Sequence, residues 1–447
     1  MRPQNLYTPS FLALSMAALT VNLGFGLPLA YFPFYALSLG ASVSMIGVFT
    51  ASFMATRALF STRFGAYSDR VGRKRIIEMG LLGYVVTAIF MALSWDWISL
   101  LVVRALQGVA SAAVWPVAEA SVVDQSPKER TGEALGFFLT LSLIGWFAGP
   151  FVGGVFQHIG QTILGLTLEE SYRLPFFAVS LLGATAALLI IWKVRETRGI
   201  RASNPTASIE GDVAKAVPSH RVAFYIKILF IFALSNGFAV GFVQPVGVLF
   251  LGDNFGVDPL IIGTIFSTAG FIGIGANYVA GRTADRTGRI PVIALGGYFS
   301  RIASLFMPLT SNLLQAGSVI TARFLGISVS MPAVRALQAD IVPERIRGRL
   351  FGKLQAFFNL GMIAGPIIGS WVYDLFQGST YVLQISSITL VFLGGGIPFI
   401  MSGALGIAAL TLLVLFVKEP SRRKQGAVIT PQKFALGGVN DSTPPDS

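Results

Sequence analysis

Long apolar runs dominate the chain, and short polar breaks separate them. Each run reaches about 20 residues, enough for a helix to cross a bilayer core of ~30 Å. The pattern predicts twelve spans, at about 11–38, 44–66, 76–95, 97–122, 133–157, 173–194, 222–250, 258–280, 290–310, 313–339, 350–377 and 390–417. The apolar stretch 378–393 fits either an extension of the last helix or an interfacial segment. Residues 196–221 are polar and read as a linker between residues 1–195 and 222–417, each holding six spans. The tail, 418–447, is polar with Pro and Gly and is expected to be disordered.

Composition agrees with a polytopic membrane protein. The chain is 53% hydrophobic and 12% charged, where soluble domains carry roughly 25% charged residues. The first apolar run is too long for a signal-peptide core and has no small-residue cleavage site before a soluble domain, so it reads as the first span. With no Cys among 447 residues, disulfides, thiolate metal sites and cysteine catalysis are excluded.

The net charge of +12 would suit a nucleic-acid partner, but its distribution argues otherwise. If the N-terminus is inside, the inner loops hold Arg70, Arg73, Lys74 and Arg75; Lys128 and Arg130; Arg198, Arg201, Lys215 and Arg221; Arg282, Arg286 and Arg289; and Arg345, Arg347 and Arg349. The outer side holds only Arg173, at a helix edge. That asymmetry puts both termini in the cytoplasm and the chain in the cell (inner) membrane, with lipid rather than nucleic acid around it.

The two halves repeat each other. Gly65, Asp69, Gly72 and Arg73 match Gly281, Asp285, Gly288 and Arg289, each 216 residues later. The same offset pairs Pro116 with Pro332, Asp124 with Asp340, Pro127 with Pro343, Gly132 with Gly348, and "GWFAGPFVGG" (145–154) with "GMIAGPIIGS" (361–370). "LPFF" at 174 matches "IPFI" at 397, an offset of 223. One register held across so many polar, Gly and Pro positions indicates two six-helix bundles made by duplication. A binding site is then expected where the halves meet, near the midplane.

These residues carry a resemblance. "GAYSDRVGRKRI" (65–76) resembles the loop 2–3 signature of the major facilitator superfamily, and "GRTADRTGRI" (281–290) its weaker echo in loop 8–9. "RALQGVASAA" (104–113) is similar to the superfamily's helix 4 signature, and "GWFAGPFVGG" to the helix 5 signature of its drug:proton antiporters. The resemblance implies an all-α fold of twelve helices and alternating access to a central site between the halves.

It also implies roles. Gly65 and Gly72 would bracket a tight turn. Asp69 would cap the start of the eleventh helix, near Leu350, across the halves. Arg73 would pair with Asp124, and Asp285, Arg289 and Asp340 would repeat this, latching the inner face. A basic turn that merely sets topology would not need this Gly-Asp-Gly-Arg spacing twice. Gly145, Gly149 and Gly153, with Pro150, form a stripe suited to close packing and hinging. Gly361, Gly365, Pro366 and Gly369 repeat it, which weakens the stripe as a mark of antiport.

Ionisable residues inside spans are costly and are functional candidates by default. Arg57 lies eight residues before Gly65, about 12 Å along the second helix. Arg104 and Arg323 lie in the fourth and tenth helices, which the resemblance places around the cavity; Arg301 lies in the peripheral ninth and reads as structural. Asn22, Tyr31, Asn236 and Gln244 complete the candidate cavity. Tyr31 also suits an interfacial aromatic belt. Glu119 and Arg335 occupy equivalent positions of opposite sign, so a salt bridge closing the inner gate is expected, against the alternative that each snorkels alone.

No Asp or Glu lies mid-span in a cavity helix, which disfavours cationic cargo and leaves Glu119, close to the inner surface, as the least unsuitable candidate for proton coupling. The expectation is a monomeric secondary transporter with no cofactor and no bound metal. It would export a small amphipathic or anionic compound in exchange for protons. A uniporter or symporter of an organic anion or neutral solute is the alternative. No nucleophile–base pair or nucleotide loop supports an enzyme.

Overall fold

The computed structural model describes residues 6–196, 220–342, 347–385 and 388–419. The linker from 197 to 219, Pro343, Arg345 and the tail from 420 lie outside the described residues. The helices are α1 (Pro9–Gly26), α2 (Phe32–Ser38), α3 (Val43–Val71), α4 (Arg73–Ala92), α5 (Trp97–Gln125), α6 (Thr131–Thr162), α7 (Leu168–Lys193), α8 (His220–Phe255), α9 (Pro259–Thr287), α10 (Arg289–Leu305), α11 (Leu313–Ile341), α12 (Arg347–Phe376) and α13 (Ile397–Phe416). All but the short α2 belong to the 12 segments long and apolar enough to span a membrane.

Three sequence expectations change. The first span is not one helix. Pro28 and Pro33 each lack a backbone N–H, and the chain passes through a 3₁₀ turn, Leu27–Ala30, before α2. Gly65 does not bracket a turn, because α3 continues to Val71 and Gly72 alone joins it to α4, at φ +119°. Gly288 does the same between α9 and α10, at φ +103°, and Gly281 lies inside α9. Helical hydrogen bonding satisfies the backbone of these polar turns, so only one residue need break the helix.

The third change concerns 378–393, which is no helical extension. Gly378 turns the chain at φ +74°, and β1 (Thr380–Ile385) pairs antiparallel with β2 (Ile388–Leu393), Tyr381 facing Phe392. The stretch is rich in Val, Ile and Thr, whose stiff side chains favour strands.

Two pseudo-symmetric six-span bundles result. In the first, α1 packs on α6 and α7, α5 on α3 and α4, and α4 on α7. The second repeats each pairing: α8 on α12 and α13, α11 on α9 and α10, α10 on α13. The seam between bundles is α3 against α12 and α6 against α9.

The glycine stripes build both the bundles and the seam. A Cβ at Gly145 or Gly153 would strike the backbone of α1 or the turn after it, and one at Gly149 would lie 2.5 Å from the Gly26 Cα. Gly361, Gly365 and Gly369 meet the α8 backbone in the same way. The prolines face the seam: Gly263 of α9 lies against the Pro150 carbonyl, and Gly47 of α3 against that of Pro366. Both α6 and α12 run through their proline unbroken.

Among the described residues, the seam is closed at one end only. At the end far from the Gly72 and Gly288 turns, one apolar core joins Tyr31, Phe49 and Met91 to Phe242, Phe250 and Tyr373 of the other bundle. The Ser44 N–H donates to Asp374 Oδ2 across that end at 3.2 Å. Towards the basic turns the cores separate, one around Ile77, Val117 and Phe138, the other around Leu229, Ile293 and Leu337. A Cβ at Gly65 or Gly281 would meet nothing within 4 Å. Among the described residues, the two bundles thus stand apart at the basic end.

Candidate functional site

At the basic end, Arg73 Nε meets Asp124 Oδ2 at 3.1 Å and Arg73 Nη2 meets Asp69 Oδ1 at 2.7 Å. A third donor of the same guanidinium reaches Ser68 Oγ at 2.8 Å. Arg289 pairs likewise with Asp285 and with Asp340, the latter at 3.4 Å. Each cluster ties three helices of one bundle together. Among the described residues Asp69 makes no cross-bundle cap, and its side chain is 61% exposed.

Sequence reading missed a second carboxylate at each turn. Gly72 and Gly288 have no side chain to cap the helices that follow. Glu196, just past α7, accepts from the Lys74 N–H at 3.3 Å. Glu419, just past α13, accepts from the Arg289 N–H at 3.0 Å. The two glutamates are 223 residues apart, the offset already set by the "LPFF" and "IPFI" pair. That match was the available signal.

The candidate cavity residues divide among three places rather than one. Asn22 and Arg57 line a cavity of about 240 Å³ inside the first bundle, walled by Phe25, Trp115, Trp146 and Phe147, with Tyr84, Ser111 and Ser142 as further polar groups. Its edge reaches the seam where Phe147 meets Phe324 at 6.0 Å. Arg104 and Gln244 both line a smaller cavity between the bundles. Asn236 lines a third, in the second bundle, with Arg335 and Gln338.

Two candidates sit apart from these cavities. Tyr31 is neither a cavity residue nor a belt residue here. It is fully buried, stacked on Tyr172 at 6.3 Å and edge-on to Phe176 at 5.5 Å, because the broken first span turns it into the closed core. The Arg323 guanidinium packs over the Phe399 ring at 5.3 Å. Arg301 donates to the Gly297 carbonyl at 2.9 Å and to Asn236 at 3.1 Å, so it ties α10 to α8.

The expected Glu119–Arg335 bridge is also absent in this arrangement. Arg335 donates to Gln355 at 3.4 Å instead. No ion pair of Glu119 within 4.0 Å occurs among the described residues. The open basic end separates the helices that carry the two charges.

Residues 14–325 and 229–438 both match the Major Facilitator Superfamily. The chain belongs to that superfamily. Major facilitator proteins move small molecules across membranes, and this chain is a membrane transporter rather than an enzyme. Among its relatives is the multi-drug resistance efflux pump PmrA of Streptococcus pneumoniae, 29% identical over 75% of this chain and 80% of that one. Multidrug resistance protein 2 of Bacillus subtilis is 24% identical over 79% and 86%. The major facilitator chain thus resembles the drug-efflux branch.

Solved structures share the fold. A bacterial homolog of the human lysosomal transporter Spinster, inward-facing and unoccupied, matches with a TM-score of 0.71 at 17% identity, covering 93% of this chain and 96% of that one. The D-xylose–proton symporter matches with a TM-score of 0.74 at 14% identity, covering 92% and 98%.

Proposed function

We propose that this major facilitator protein exports small amphipathic or anionic organic compounds by alternating access, in exchange for protons. In this reading the basic end and both termini are cytoplasmic, so the arrangement above is the cytoplasm-open state. Residues 1–195 and 222–417 rock as units about the seam, joined by the linker 196–221, and one chain suffices.

The 240 Å³ cavity carries this reading. Four aromatic walls would hold a ring system, and Arg57 would hold its acidic group. No carboxylate lies within 4 Å of Arg57 among the described residues, so its charge is available to a ligand. The efflux relatives support the direction of transport.

Binding is tested with the purified chain and two fluorescent probes, anionic 8-anilino-1-naphthalenesulfonate and cationic ethidium. A charged hydrogen bond contributes about 1.5–3 kcal/mol, and each 1.4 kcal/mol is tenfold in affinity. Arg57→Gln should therefore weaken the sulfonate by about tenfold or more and leave ethidium unchanged. Ethidium binding without sulfonate binding would overturn the anionic cargo.

One observation favours a second reading, proton–anion symport. Glu119 follows Ser111 and Trp115 of the cavity wall at helical spacing, which puts it on the α5 face that carries the cavity. Protonating Glu119 would leave Arg57 to the anion, so proton and anion would bind together. A pH gradient across liposomes separates the two. Sulfonate leaving against inward protons supports exchange; sulfonate moving with the protons supports symport.

A further inference from the structure

The cargo cavity leaves the buried cation of Arg104 unexplained. Arg104 of α5 is only 8% exposed. One of its Nη groups donates to Gln107 Oε1 at 2.6 Å, while its Nε is buried without a partner. No carboxylate approaches it within 4.0 Å among the described residues. Phe32 and Phe53 turn their faces to the guanidinium at 4.9 Å, and Phe25 does so at 5.8 Å. Ring faces offset part of the cost of a buried cation, but a charge without a counter-ion remains strongly unfavourable.

Beside Arg104 is a cavity of about 40 Å³, and Gln244 of α8 lines it from the other bundle. Gln244 Oε1 is also buried without a partner. A water molecule in this cavity would leave the charge uncompensated. An anion compensates it. The Gln244 NH₂ group carries two donors suited to such an anion. The space suits a particle about the size of one or two waters, and excludes a ring-bearing cargo.

We propose that Arg104 and Gln244 form a site for one small inorganic anion of chloride size, held jointly by the two bundles. Its ligands come from opposite sides of the seam, so it is complete only while the far end is closed. An anion bound there favours the state open at the basic end, by mass action. The acidic group of a cargo molecule shares this chemistry. Phe25 lines both this cavity and the 240 Å³ cavity, so the experiment must tell the two sources apart.

The full chain is purified in chloride-free gluconate buffer, and thermal unfolding is followed at constant ionic strength. Chloride and bromide should raise the melting temperature saturably, where gluconate does not. Arg104→Gln and Gln244→Leu should abolish the rise, and Arg63→Gln, which removes an exposed arginine, should retain it. In bromide-soaked crystals an anomalous peak should lie beside Arg104. No halide-specific rise, its persistence in Arg104→Gln, or a bromide peak elsewhere would each overturn the proposal. If Arg104→Gln does not fold, Gln244→Leu and the bromide peak decide the matter. Finally, 1-naphthalenesulfonate is added at saturating chloride. Additive stabilisation supports an inorganic anion in a separate site, whereas loss of the sulfonate effect would assign Arg104 to the acidic group of the cargo.

Discussion

Gly47 offers the sharpest test of how the far end closes. It sits in α3 against the Pro366 carbonyl and the Ile367 backbone of α12, so the contact is backbone on backbone. A Cβ at Gly47 would stand 2.7 Å from the Ile367 Cα. Carbon atoms settle at about 3.5–4.0 Å, so Gly47→Ala must part α3 and α12 by about 1 Å. No side chain can rotate away to absorb it. Overpacking of this kind costs about 1–3 kcal/mol, equivalent to about 5–150-fold in the population of the closed far end.

The absence of cysteine makes the readout clean. Ala36→Cys would put a single thiol in α2, at a fully buried position of the far-end core. Maleimide labelling in lipid vesicles then reports opening of that end. Gly47→Ala should speed labelling by the same ~5–150-fold, and Gly263→Ala should do likewise, since it meets Pro150 in the equivalent place. Gly65→Ala is the control, because a Cβ there meets nothing within 4 Å. A well-folded Gly47→Ala protein that labels at the parent rate would refute the idea that this seam sets the closed state.

Two further outcomes are expected. Glu196→Gln and Glu419→Gln each weaken the cap on a glycine-started helix, α4 or α10. By analogy with helix caps this costs about 1 kcal/mol, read as a lower melting temperature and as faster hydrogen exchange confined to that helix's first turn. If the proposed Glu119–Arg335 bridge closes the basic end, Glu119→Arg or Arg335→Glu alone should cut transport and the two together should restore it; transport that stays lost in the double variant would leave each charge acting alone.

Much of this molecule is written in local pattern. Apolar runs long enough to cross a bilayer favour helices there, since a helix satisfies its own backbone where lipid offers no hydrogen-bond partner. The twelve spans and their duplication were therefore legible, as were the charges at the Arg73 and Arg289 turns. So was the stripe of Gly145, Gly149 and Gly153, because helical periodicity alone puts those residues on one face.

What the sequence left open depended on contacts between distant segments. Gly47 and Gly263 look like any span glycine until α12 and α6 lie against them. Glu196 and Glu419 look like linker and tail residues until the chain returns them to Gly72 and Gly288. Tyr31 reads as a belt or cavity residue until Pro28 and Pro33 break the first span and bury it. The intramembrane arginines were visible as costly charges, but their neighbours were not. Only the packed bundles put Arg57 among aromatic walls, Arg301 on Asn236, and Arg104 beside a residue of the opposite half. Periodicity sets which face a residue takes; the meeting of two helices sets what that face touches.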